Sequence, residues 1–132
     1  MQKNILIKLY FWLTFALSIF VLINSFGLFL LVSAILIIPL AAIHMLAGIR
    51  SKNNAHKLLL LSATNFLLFS LVRCDGVHVT DHSGFSALLK RFHIHVGFNS
   101  EYENIYLLAT LLFFILQIIL DASVLKKSGY KI

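Results

Sequence analysis

Residues 9–49, LYFWLTFALSIFVLINSFGLFLLVSAILIIPLAAIHMLAGI, contain no Lys, Arg, Asp or Glu. As one helix rising about 1.5 Å per residue, this stretch would reach about 60 Å, twice the roughly 30 Å hydrocarbon core of a bilayer. The segment has to fold back. Asn24-Ser25-Phe26-Gly27 supplies the break, because short polar side chains bond nearby backbone groups and glycine tolerates turn dihedrals. Two further apolar runs follow, so spans are expected at about 9–24, 27–48, 57–73 and 105–125. The reading is an all-α fold: an integral membrane four-helix bundle of two transmembrane hairpins, forming a single domain over residues 1–132. Lys3 and Lys8 before an apolar run also resemble the start of a cleaved leader, but no small-x-small cleavage pattern follows.

Composition agrees with a membrane solvent. Hydrophobic residues make up 60% of the chain and charged residues 12%, against roughly a quarter charged in a soluble domain. Such a chain has no room for a soluble catalytic module beside four spans. The single cysteine, Cys74, cannot form an internal disulfide, although it could link to a partner or a second copy.

The cationic residues set the expected orientation. Lys3, Lys8, Arg50, Lys52, Lys57, Lys126, Lys127 and Lys131 fall on one side of the spans, and Arg73, Lys90 and Arg91 on the other. The positive-inside rule then places both termini and the 50–57 connection in the cytoplasm and loop 74–104 outside. The Ile-, Phe-, Lys- and Asn-rich usage suggests a bacterial inner membrane. The formal net charge of +6 reads as a topology signal and an attraction to anionic lipid, not as a nucleic-acid site.

Polar residues inside the spans need partners within protein, because hydrocarbon offers none. Thr110, Phe114, Gln117 and Asp121 recur on one face of the last span, and Ser62, Asn65, Phe69 and Arg73 on one face of the third. The second span carries Ala34, Ala41 and Gly48 with His44 among them, a small-residue surface that allows close helix approach. Thr14, Ser18, Val21 and Ser25 form a weaker stripe in the first. Counted from the cationic ends, Asn65 and Gln117 lie roughly 12–14 Å deep, and His44 and Asp121 roughly 8–9 Å. The expected intramembrane pairs are therefore Asn65 with Gln117 and His44 with Asp121, acting as interhelical polar bonds. Pro39, within the second span, is expected to kink it.

The outer loop, 74–104, is longer than a connection needs. From Ser83 to Phe98 the residues Phe85, Leu88, Leu89, Phe92 and Val96 recur at helical steps, with Lys90, Arg91 and His93 opposite them. A short amphipathic helix is expected, capped by Ser83 and ended by Gly97, lying on the outer leaflet or across the mouth of the bundle. The same loop holds His78, Asp81, His82, His93 and His95, a set that could ligate zinc or copper. No other cofactor is expected.

Phosphate loops, nucleophile elbows, His-Glu-x-x-His and paired intramembrane carboxylates are all absent from the sequence. One histidine in the spans, His44, is too few for a haem held between two. The expectation is a non-enzymatic membrane protein that binds another membrane or extracytoplasmic protein, or itself, through the outer loop, with Phe85, Leu88, Leu89, Phe92 and Val96, and through the bundle surface. An accessory subunit or an immunity-type factor fits that description. The alternative is a metal-ion or small-solute binder and transporter that uses the loop histidines.

Overall fold

The computed structural model describes residues 2–24, 28–73, 83–94 and 102–130. Among these residues five α-helices form: α1 Gln2–Asn24, α2 Leu28–Arg50, α3 His56–Val72, α4 Gly84–Arg91 and α5 Glu103–Lys127. A 3-10 turn, Asn53–Ala55, leads into α3. Three segments are long and apolar enough to cross a membrane: Asn4–Asn24, Asn53–Val72 and Asn104–Lys127. Together with an apolar α2 that runs unbroken through the exposed Pro39, these are the proportions of a helical membrane protein.

Polarity is distributed the opposite way from a water-soluble bundle. Leu9, Leu13, Leu17, Ile35, Ile38, Leu108, Leu112 and Ile119 are exposed, whereas Ser18, His44, Ser62, Asn65, Gln117 and Asp121 are buried. Hydrocarbon as the surrounding medium explains both halves of that pattern. Several hydroxyls bond back to their own helix: Thr14 Oγ1 to the Tyr10 carbonyl, Ser18 Oγ to that of Thr14, and Thr110 Oγ1 to that of Tyr106. Each satisfies itself locally, so these hydroxyls need no water.

Two apolar clusters, stacked along the helices, fix the packing. At the end that carries both termini, Ile7 and Phe11 of α1 meet Ala47 of α2, Leu59 and Ala63 of α3, and Val124 and Leu125 of α5. Further along, Leu22, Ile37, Leu40, Phe66 and Phe69 pack together with Phe113 and Phe114 against them. α3 lies between α1 and α5, and α2 meets α5 and α1. The Tyr10 hydroxyl bonds Thr64 Oγ1 at 2.9 Å across α1 and α3.

The short break at 24–27 predicts a tight pair of α1 and α2, but α1 shares its main interface with α3. The α1–α2 approach is close mainly where Gly48 faces Phe11. A Cβ on Gly48 would run into the edge of the Phe11 ring, so only glycine fits under it. Further along, Ile19 and Leu22 stand apart from Ala34 and Ile38 across an apolar groove of about 190 Å³. Of the small-residue stripe Ala34, Ala41 and Gly48, Gly48 packs tightly against α1, whereas Ala34 and Ala41 line the groove.

The helix in the 74–104 connection is shorter than its apolar periodicity suggests. The Ser83 side chain accepts from the Ser86 amide, capping α4 as expected. The helix stops at Arg91 because His93 adopts φ 60, a left-handed conformation that a helix cannot continue. The amides of Ile94 and His93 then turn back to the carbonyls of Leu89 and Lys90. α5 closes with the same pair of bonds around Gly129, at φ 85, where glycine carries no steric penalty. Gly97, the expected cap, and Val96 lie outside the described residues. α4 packs on α1 and α3, with the Gly84 amide bonding the Arg73 carbonyl at 2.9 Å.

Candidate functional site

Five side chains from three helices meet in one buried polar network. His44 comes from α2, Ser62 and Asn65 from α3, and Gln117 and Asp121 from α5. His44, Ser62, Gln117 and Asp121 have no accessible surface, and Asn65 is buried. Helical spacing accounts for the arrangement: Ser62 and Asn65 are three residues apart and Gln117 and Asp121 four, so each pair presents one face.

The distances bring both depth-matched pairs together. His44 Nδ1 lies 2.9 Å from Asp121 Oδ1. Asn65 Nδ2 donates to Gln117 Oε1 at 2.8 Å and to the Phe113 carbonyl at 2.9 Å. Gln117 Nε2 joins the two pairs, donating to Asp121 Oδ2 and to Ser62 Oγ, each at 2.9 Å. Ser62 Oγ donates to Asp121 Oδ1 at 2.5 Å. With Asp121 as a carboxylate, the hydrogens distribute without conflict: His44 Nδ1, Ser62 and one Gln117 hydrogen all point at it, and the second Gln117 hydrogen goes to Ser62. The 3.0 Å approach of Gln117 Nε2 to His44 Nδ1 is then a contact between two donors.

Aromatic rings enclose His44 on its remaining sides. Phe66 stacks on the imidazole with centroids 4.5 Å apart, Phe11 lies at 4.7 Å and Phe15 at 5.7 Å. Among the described residues His44 Nε2 has no hydrogen-bond partner. A serine, a histidine and an aspartate so close together invite comparison with a hydrolytic triad, and the geometry excludes it. Ser62 lies on the Nδ1 side, 3.2 Å from that nitrogen and bonded to the same carboxylate oxygen, whereas a nucleophile needs the opposite nitrogen. The network holds three helices in register, with nothing in it open to solvent in this conformation.

Sequence reasoning misses two contributions. In the sequence Ser62 belongs to a polar stripe; in the structure it is the hydroxyl that completes the Asp121 shell. Its position three residues nearer the termini than Asn65 puts it level with Asp121, which is the available signal. The aromatic enclosure carries no such signal, because it depends on the rotation of α1.

The outer-loop residues are only partly described. His78, Asp81, His82, His95 and Val96 lie outside the described residues. His93 is exposed in its left-handed position. Among the described residues no three His, Cys, Asp or Glu side chains gather as a metal site. On α4 the small residues Gly84 and Ser86 are buried, Leu88 and Leu89 are half-buried, and Phe85 and Phe92 are 50% and 65% exposed.

No family model, curated protein or solved structure matches the chain.

Proposed function

We propose that this chain is a non-enzymatic membrane protein of four spans, folded as two hairpins, that binds another membrane or extracytoplasmic protein through its outer helix. The termini lie on the cytoplasmic side, where eight of the eleven Lys and Arg side chains fall. A bacterial inner membrane is the proposed residence, and an accessory subunit or immunity-type factor the proposed role.

One observation carries this reading. α4 seats itself with Gly84 and Ser86 while its large apolar side chains Phe85 and Phe92 face outward. An eight-residue helix that turns Gly84, Ser86 and the half-buried Leu88 and Leu89 inward keeps its aromatic area for something else. The network around Asp121 supports the non-enzymatic part, because it is closed and internally bonded.

The test compares parent and Leu88→Ser/Phe92→Ser proteins, purified in mild detergent from native membranes with quantification of whatever remains bound. A stoichiometric protein retained by the parent and lost from the double variant, with both inserting equally, is the expected result. Equal retention by the two would overturn docking through α4.

A further inference from the structure

The end of the molecule that carries both termini holds a recess of about 670 Å³, in which Ile7 and Leu60 supply much of the lining and a set of polar groups stands beside them. Lys57 at the start of α3 and Lys127 at the end of α5 both line it. Asn4, Asn53 and Asn54 add amide groups, and His56 stands on the wall between them. The connection is held in place from both sides: the Lys52 amide donates to Ser128 Oγ, and Asn54 Nδ2 donates to the Lys127 carbonyl at 2.8 Å. These bonds tie together two of the three segments that form the recess, the connection before α3 and the end of α5, and α1 supplies the third.

Among the described residues neither Lys57 nor Lys127 is paired with a carboxylate. No Asp or Glu precedes Asp75 or follows Asp121, and Asp121 is buried in the network with His44. α3 begins at the recess with no side chain capping it, so its first amides add positive potential. His56 is nine-tenths buried, and among the described residues its Nε2 has no hydrogen-bond partner. Two lysines, the N-terminus of α3, amide groups and an imidazole nitrogen brought to one recess are together the complement of a compact, doubly charged oxyanion.

We propose that this recess binds a phosphate monoester, presented either on a lipid headgroup at the bilayer surface or free in solution. The site is independent of the partner-binding surface on α4, which lies at the other end of α3.

The experiment uses the full chain in two arms. In the first, the protein is reconstituted in phosphatidylcholine nanodiscs containing a minor fraction of phosphatidate, and the lipids retained after detergent exchange are counted by native mass spectrometry. In the second, inorganic phosphate is titrated onto the detergent-solubilised protein while the His56 ring resonances are followed. Each arm is repeated with Lys57→Gln/Lys127→Gln and with Lys8→Gln/Lys126→Gln, which removes equal charge outside the recess.

Phosphatidate retention that falls about tenfold in the recess variant alone assigns the site to a lipid headgroup. A saturable His56 shift lost in that variant, without phosphatidate enrichment, assigns it to a soluble phosphate. Absence of both responses, or equal losses in the two double variants, would overturn the proposal.

Discussion

Replacing Asp121 by alanine removes the acceptor on which the buried network converges. Three donors lose their partner: His44 Nδ1 at 2.9 Å, Ser62 Oγ at 2.5 Å and Gln117 Nε2 at 2.9 Å. In water-soluble cores each stranded donor costs about 1–3 kcal/mol. Within a bilayer the unfolded helices also find partners, and interhelical bonds are worth about 0.6–1.7 kcal/mol each. Two of the three bonds, those from His44 and Ser62, cross between helices and give an expected loss of about 1–3 kcal/mol, while the Gln117 bond lies within α5. Asp121→Asn keeps an oxygen for His44 and Ser62 but turns an amide toward Gln117, so its loss should be about 1 kcal/mol. The assay is reversible unfolding of the purified protein in mixed micelles by detergent titration. Trp12, the chain's one tryptophan, is the probe, because it packs edge-on against Phe11 beside His44. An alanine variant within about 0.5 kcal/mol of the parent would refute the claim that Asp121 anchors three helices.

Further perturbations probe separate features. Asn65→Leu alone strands one end of an interhelical bond and should cost about 1 kcal/mol, whereas the combined loss in Asn65→Leu/Gln117→Leu should be smaller than the sum of the two single losses. A strictly additive double variant in the same titration would deny the coupling. Gly48→Ala drives a methyl into Phe11 and should destabilise by about 1–3 kcal/mol; an unchanged unfolding midpoint would show that the ring yields freely. His93→Gly removes the left-handed strain at the end of α4 and should slow amide exchange across Gly84–Arg91, by up to about 1 kcal/mol of local stability. Faster exchange there would contradict the account of why α4 ends at Arg91.

The internal polar design is legible in the sequence because hydrocarbon makes polar placement expensive. Gln117 and Asp121, four residues apart, have to share a face, and counting from the cationic ends puts them level with Asn65 and His44. Lateral order is harder to read. Consecutive spans joined through a short polar break suggest neighbours, yet Tyr10 and Thr64 join α1 to α3, while Gly48 is where α1 and α2 come closest. Which flank of α1 faces which helix depends on the fit of Phe11 and Phe15 around His44, and periodicity alone does not encode that rotation. The end of α4 escapes the sequence for a different reason. Its apolar steps continue past Arg91, but His93 occupies a conformation ordinarily left to glycine, and no local residue type announces it. The recess at the termini lies in a short connection where Asn53 and Asn54 look like ordinary turn residues. Its walls form only when the end of α5 closes over them.

The arrangement of spans is tested most directly by side-specific labelling. In a Cys74→Ser background, two single-cysteine variants are made: Lys52→Cys, between α2 and α3, and Phe92→Cys, just beyond α4. Both are treated with a membrane-impermeant maleimide in sealed right-side-out vesicles. A span at α3 predicts that the Phe92→Cys variant reacts before the vesicles are opened and the Lys52→Cys variant only afterwards. Equal reaction of the two variants in sealed vesicles would contradict a chain that crosses the membrane between those positions.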